Sequence, residues 1–101
     1  MKYHEVEMNL SLEIQNQIRK FAKDCVLDKV ILFGSRARGT NRERSDIDLA
    51  VSGENVLRFE ELLEEQADTL LTFDVVNLDE IVSEKLRNSI DKDGQLLYAK
   101  V

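Results

Sequence analysis

The stretch FGSRARGTNRERSDIDLAV, residues 33–51, holds most of the information about fold and chemistry in this sequence. It starts where a compact apolar run, residues 28–33, ends at a glycine, which is typical of a buried strand. Beyond an arginine-rich segment, aspartates alternate with apolar residues, and this alternation predicts a second strand over residues 46–51. Asp46 and Asp48 then lie on one face of that strand, with apolar side chains on the other.

The rest of the chain alternates between helical and strand patterns, with no proline, repeat or flexible linker to divide it. The patterns predict helices over about residues 11–25, 54–69 and 80–90, and strands over 28–33, 46–51 and 71–78. Ser11 and Asp79 are the expected N-caps of the first and last helices. We expect residues 91–94 to form a turn rather than a calcium loop, and residues 95–101 to form a last strand or a docked tail.

These elements predict an α/β or α+β fold in which a small mixed sheet has helices packed on one face. The other face carries the acidic residues and is expected to lie open. A length of 101 residues is that of one domain, so we expect a single domain over residues 1–101. Within it, residues 1–10 are expected to be a flexible or loosely docked N-terminal segment.

The charge balance limits the possible functions. Lys and Arg number 14 and Asp and Glu 20, and the resulting net charge of −6 argues against a protein whose main task is to grip a nucleic-acid backbone. No apolar run approaches the ~18 residues of a membrane span, and a single cysteine, Cys25, cannot form an internal disulfide. These features favour a cytoplasmic protein in which Cys25 is a small buried hydrophobic residue. His4 has no second histidine beside it and is not expected to bind metal.

The loop after the first predicted strand has the residue types of a phosphate-binding loop. Gly34 allows the backbone to turn and to approach a ligand closely, and Ser35 offers a hydroxyl and an N–H where a helix can begin. The loop is not a Walker loop, because no Gly-Lys-Ser/Thr follows. It is not a dinucleotide fingerprint either, because Arg36 stands at the position of the second glycine.

Three aspartates form the candidate metal site. Asp46 and Asp48 project to the same side of a rigid strand, and oxygen ligands in that arrangement suit a hard divalent cation. Asp74, in a later strand, can reach the same face and supply the third carboxylate of a two-metal site, whose ions lie ~4 Å apart. The alternative is that these carboxylates are exposed to water and bind nothing, which is the usual state of a lone Asp-x-Asp.

Together, the Gly-Ser pair at residues 34–35, the arginines after it, the Ser-Asp-Ile-Asp segment 45–48 and Asp74 resemble the minimal nucleotidyltransferase family of the polymerase β superfamily. The resemblance covers nearly the whole chain. It implies the polymerase β-like core fold and the transfer of a nucleoside monophosphate, AMP from ATP, to a hydroxyl group, with pyrophosphate as the leaving group.

The resemblance also implies roles for particular residues. By analogy with the family, Asp46, Asp48 and Asp74 hold two Mg²⁺ ions, and Asp74 also acts as the base on the acceptor hydroxyl. The nucleotide-binding candidates are Gly34, Ser35, Arg36 and Arg38. Of these, Arg36 and Arg38 are expected either to neutralise phosphate charge or to position the loop, whereas the later arginines of the loop are expected to be solvated.

The size of the chain bears on its partners, because larger members of the superfamily carry an additional helical domain. Members of this size resemble the small half of a two-protein system, which implies a helical HEPN-type partner. In several toxin-antitoxin pairs a tyrosine of that partner receives AMP. No membrane role and no direct grip on nucleic acid are expected, and homo-oligomerisation stays open.

Two other functions are consistent with the same residues. The first is a non-catalytic, antitoxin-like or regulatory nucleotide-binding subunit that acts by binding its partner. The second is a structural protein whose acidic cluster is incidental. The presence of Ser35 together with all three aspartates favours the enzyme, because a pure binding protein needs no set of three carboxylates.

Overall fold

The computed structural model describes residues 8–101, in which four helices alternate with four strands. In chain order the elements are α1 (Leu12–Asp24), β1 (Leu27–Phe33), α2 (Gly34–Arg38), β2 (Ile47–Gly53), α3 (Val56–Gln66), β3 (Phe73–Asn77), α4 (Glu84–Asp93) and β4 (Gln95–Ala99). None of these helices combines the length and the apolar character needed to cross a bilayer.

The four strands form one mixed sheet in the order β3-β2-β1-β4. β1 pairs antiparallel with both β2 and β4, whereas β3 runs parallel to β2. A parallel pair needs a long crossover connection, and α3 provides it. The predicted fold class is therefore confirmed, and the C-terminal apolar run is a strand rather than a docked tail.

The larger hydrophobic core lies between the sheet and the helices α1 and α3. α1 begins at its predicted cap, where the Ser11 Oγ accepts a hydrogen bond from the Ile14 backbone N at 3.3 Å. Cys25 is part of this core, as predicted, and burial raises the pKa of its thiol. Other buried members of the core include Ile18, Phe21, Val30, Leu32, Leu49, Val51, Phe59 and Leu63.

A smaller core lies on the opposite face of the sheet, beneath α4. Ile31 and Phe33 of β1 and Ala50 of β2 point to this face, and Ile90 of α4 packs on them. The prediction that the helices pack on one face of the sheet holds for α1 and α3. It is wrong for α4, which covers part of the face that was expected to be open. The reason is that residues 30–33 are apolar on both sides of β1, so neither side can be left to water.

The predicted ends of α4 are wrong in two places. Ser83, not Asp79, is the N-cap, and its Oγ accepts a hydrogen bond from an N–H in the first turn at 3.2 Å. Asp79 instead accepts a hydrogen bond from the Gly53 backbone N at 2.9 Å and so ties the turn after β3 to the end of β2. Residues 91–93 are helical, and Gly94 alone ends the helix.

The N-terminal segment expected to be flexible or loosely docked is only partly described. Residues 8–10 are docked: Leu10 is buried in the larger core, and the Asn9 backbone N donates to the Arg36 carbonyl at 2.9 Å. His4 lies outside the described residues.

Candidate active site

Three aspartates lie close together at the start of the β2–β3 pair. Asp48 of β2 and Asp74 of β3 are direct partners in the parallel register. Asp46 lies directly before β2, close enough for its negative charge to raise the pKa of Asp48. Asp46 and Asp74 are exposed and Asp48 is half-buried, so a ligand in solvent has access to this acidic face.

The acidic face is electrostatically strained when no cation is bound. The pKa of Asp48 is raised above its ordinary value by burial first, and then by the negative charges of Asp74 and Asp46, while the positive charge of Arg38 acts in the opposite direction. The three carboxylates therefore interact although they come from two strands. A cation bound beside Asp48 relieves this repulsion.

The acidic face suits a Mg²⁺ ion that is bound partly by water and phosphate, rather than an ion held by protein ligands alone. Within residues 8–101, no group of three or more acidic, histidine or cysteine side chains is arranged so that it could hold a metal ion by itself. Mg²⁺ does not require such a group, because it commonly binds one or two carboxylates and completes its shell with water and substrate phosphate. The candidate ligands are all carboxylate oxygens, and oxygen is the ligand atom that Mg²⁺ prefers.

Gly34 brings the backbone of the loop against Asp48. Its φ of +73° lies in the left-handed region, and a Cβ at this position would collide with the Asp48 carboxylate, whose Cγ is only 3.1 Å away. The contact arises because Phe33 and Asp48 are partners in the β1–β2 register. Glycine is therefore required at this position, both by the backbone angle and by the lack of space for a Cβ, and Ser35 is the next residue of the loop.

The short helix α2 holds this loop in a closed shape. Gly39, with a φ of +78°, ends α2 in the left-handed conformation. The backbone N–H groups of Gly39 and Thr40 both donate to the Ser35 carbonyl. Ser35 itself is half-buried.

Arg36 is buried inside the loop rather than presented to solvent. Its side chain donates to three backbone carbonyls, from Nη1 to Asn9 at 3.0 Å, from Nη2 to Glu43 at 3.1 Å and from Nε to Ser45 at 3.0 Å. The residue is 6% exposed. Of the two roles expected for Arg36, these contacts favour positioning of the loop.

Arg38, by contrast, is exposed and lies at the acidic face. Its charge lowers the pKa of Asp48, and its Nη1 donates to the Asp93 Oδ2 at 3.1 Å. Asp93 is 55 residues away in sequence, so no local pattern pointed to it. Its place in the last turn of a helix gave no signal either, because residues 91–94 were expected to form a turn.

The remaining polar residues of the loop have structural roles. The Ser45 Oγ accepts a hydrogen bond from the Arg42 backbone N at 2.8 Å, and its own backbone N donates to the Arg42 carbonyl at 3.1 Å. These bonds close the turn before the acidic strand. Arg42 and Arg44 are exposed, as the sequence predicted.

The Gly34 backbone thus lies against Asp48 in β2, and Asp74 faces Asp48 from the neighbouring parallel strand. A family model described as Polymerase beta, Nucleotidyltransferase matches residues 15–101, and the chain belongs to this family. No curated protein sequence matches the chain significantly.

Solved structures with the same fold include toxin-antitoxin proteins. A chain from a toxin-antitoxin crystal structure with AMP-PNP is 29% identical, with a TM-score of 0.68 over 85% of this chain and 73% of that one. A mutant of the toxin-antitoxin MntA-HpeT is 26% identical, with a TM-score of 0.67 and the same two coverages. A protein from Shewanella oneidensis shares the fold at 19% identity, with a TM-score of 0.64 over 90% of this chain and 74% of that chain.

Proposed function

We propose that this chain is a Mg²⁺-dependent nucleotidyltransferase that moves AMP from ATP to a hydroxyl group of a partner protein. The observation that carries the proposal is the register of Asp48 against Asp74, with the Asp46 charge acting on Asp48 and the Gly34 backbone against the Asp48 carboxylate. Membership of the polymerase β nucleotidyltransferase family supports a transferase activity. The toxin-antitoxin neighbour with AMP-PNP supports an adenine nucleotide.

In the proposed reaction, an oxygen of the acceptor forms a bond to the α-phosphorus of ATP, and the bond from that phosphorus to pyrophosphate breaks. Asp46, Asp48 and Asp74 would hold Mg²⁺, which supplies neutralisation of the phosphate charge. Asp74, which is exposed and lies on the edge strand, accepts the proton of the acceptor hydroxyl. The Ser35 hydroxyl and the Arg38 guanidinium bind phosphate oxygens.

The acceptor that we propose is a tyrosine of a helical HEPN-type protein. The neighbours in toxin-antitoxin structures support a protein partner. The accessibility of Asp46 and Asp74 supports it as well, because an open face needs a second surface to exclude water from the reacting groups. The isolated chain should therefore be a poor catalyst.

The direct test is transfer of label from [α-³²P]ATP in the presence of Mg²⁺, with and without the helical protein encoded by the adjacent gene. We expect label on the partner, none in EDTA, and little on any acceptor when the partner is absent. The variants Asp46→Asn and Asp48→Asn should lose transfer. Asp24→Asn, an exposed aspartate at the end of α1, is the matched control and should keep it.

Two results would contradict the proposal in different ways. Full transfer without the partner would remove the two-protein arrangement while leaving the chemistry. Tight binding of Mg²⁺ and ATP with no transfer to the partner would instead favour the nucleotide-binding, antitoxin-like subunit.

A further inference from the structure

Asp93 and Arg38 connect α4 to the loop of the acidic face. The Arg38 Nη1 lies 3.1 Å from the Asp93 Oδ2, which makes this contact both a hydrogen bond and an ion pair. The Asp93 side chain is only 17% exposed, whereas that of Arg38 is 42% exposed. The carboxylate is thus the fixed member of the pair, and the guanidinium is the member that faces solvent.

The position of Asp93 is set by tight packing at the end of α4. The next residue, Gly94, is buried, and a Cβ there would lie 2.7 Å from the Cγ2 of Ile31 in β1. Ile90, one turn earlier, is buried in the smaller core. The last turn of α4 is therefore held directly on the sheet, and the carboxylate that it carries cannot move far.

Helix stability does not explain an acidic residue at this position. The C-terminal end of a helix carries partial negative charge, so an aspartate in the last turn is unfavourable and a basic or neutral residue is preferred. Asp93 is the last residue of α4. Asp93 is therefore unfavourable for the helix, yet packing holds it in place and it pairs with Arg38 of the site. This combination indicates that Asp93 has a role in the site.

Arg38 has hydrogen-bonding capacity to spare. Of its donor groups only Nη1 has a partner among residues 8–101, and that partner is Asp93. Nε and Nη2 are left to donate elsewhere. The influence of Arg38 on Asp48 places its positive charge beside the acidic face, where the triphosphate would arrive.

We propose that Asp93 is a positioning residue for nucleotide binding: it fixes Arg38 through Nη1 so that Nε and Nη2 are presented to the phosphates of a Mg²⁺-bound nucleoside triphosphate. The inference rests on the proposed function and adds a residue to it. A guanidinium held by one carboxylate loses less side-chain freedom when it binds a phosphate, so the pair strengthens binding beyond what Arg38 alone achieves.

A thermodynamic cycle tests this inference. The probe is the Mg²⁺ complex of α,β-methylene ATP, in which the bond broken by transfer is replaced by a stable one, and its Kd is measured by calorimetry. We expect Asp93→Ala to raise the Kd by roughly three- to tenfold and Arg38→Ala by at least as much. The double variant should bind no more weakly than Arg38→Ala, because Asp93 acts through Arg38.

The controls separate positioning from a structural role. Asp24→Ala removes another aspartate from the last turn of a helix, one paired with Lys20 at 3.0 Å, and should leave the Kd unchanged. Asp93→Asn, which keeps an acceptor oxygen without the charge, should give an intermediate Kd. The melting temperature of Asp93→Ala should stay close to that of the unchanged chain, because the lost ion pair is offset by removal of an unfavourable charge at the helix end.

The other possible results would overturn either the inference alone or the inference together with the proposed function. A lower melting temperature of Asp93→Ala with an unchanged Kd would show a purely structural pair and overturn the inference. Additive losses in the double variant would overturn it as well, because Asp93 would then not act through Arg38. If the unchanged chain bound no Mg²⁺-nucleotide at all, the proposed function would fail together with the inference, whereas normal binding by Asp93→Ala would remove the inference alone.

Discussion

Replacing Asp48 with Asn is expected to abolish nucleotide transfer and, in the absence of metal, to make the folded chain more stable. Asp48 is half-buried, and its pKa is raised by burial and by the charges of Asp74 and Asp46. Asn fills the same space beside Gly34 without the charge. In EDTA at pH 7 we expect the melting temperature to rise by about 2–5 °C, while transfer with Mg²⁺ falls by at least ~100-fold.

The stabilisation should depend on pH with a defined sign. A carboxyl group whose pKa is higher in the folded chain than in the unfolded chain holds its proton more tightly when folded. The unchanged chain therefore loses stability as the pH rises through that raised pKa. The advantage of Asp48→Asn should be present at pH 7 and should disappear below the ordinary aspartate pKa of ~3.9, where Asp48 is protonated in both states.

Thermal melts of both chains at a series of pH values in EDTA, together with the transfer assay, measure these effects. Asp24→Asn, an exposed aspartate paired with Lys20, serves as the control and should change neither transfer nor the pH dependence. A lower melting temperature for Asp48→Asn at pH 7, or retained transfer, would contradict the role given to Asp48.

The second large effect is expected for Gly34→Ala. The substitution puts a Cβ on a residue with a φ of +73° and drives it into the Asp48 carboxylate. We expect the free energy of unfolding to fall by about 2–4 kcal/mol, from the left-handed backbone and the steric clash together. Transfer should be lost, because Asp48 or the loop must move.

Gly39→Ala is the matched control for this substitution. Gly39 has nearly the same backbone angle, with a φ of +78°, but a Cβ there would meet nothing within 4 Å. The loss of unfolding free energy in Gly39→Ala therefore measures the backbone contribution alone, which we expect to be about 1–2 kcal/mol. Urea unfolding of both variants gives the difference, which measures the contact with Asp48. Equal losses of stability, or an active Gly34→Ala variant, would rule out the close approach of loop and carboxylate.

Local patterns in the sequence were sufficient to predict the strands that carry the acidic face. Alternation along an extended chain puts Asp46 and Asp48 on one side, and the apolar flanks of Asp74 identify its strand. The parallel β2–β3 register then brings Asp74 opposite Asp48. Asp48 and Asp74 are thus confirmed as register partners, while the place of Asp46 on the same face and the chemical roles of all three residues remain predictions.

Features that depend on tertiary contacts could not be predicted in the same way. The position of α4 on the second face follows from the packing of Ile90 on β1, which no single segment encodes. The burial of Arg36 depends on three carbonyls, from Asn9, Glu43 and Ser45, that only the folded loop assembles. The pairing of Arg38 with Asp93 joins segments 55 residues apart.

The central claim is that the acidic face binds nucleotide through a divalent cation. The most direct measurement is the Kd for ATP, determined by calorimetry on the unchanged chain with Mg²⁺ and again in EDTA. A triphosphate brought up to Asp46, Asp48 and Asp74 without a cation adds like charges, so we expect affinity to fall by at least ~10-fold in EDTA. Equal affinity in the two conditions would contradict the account, because the carboxylates would then have no part in binding the nucleotide.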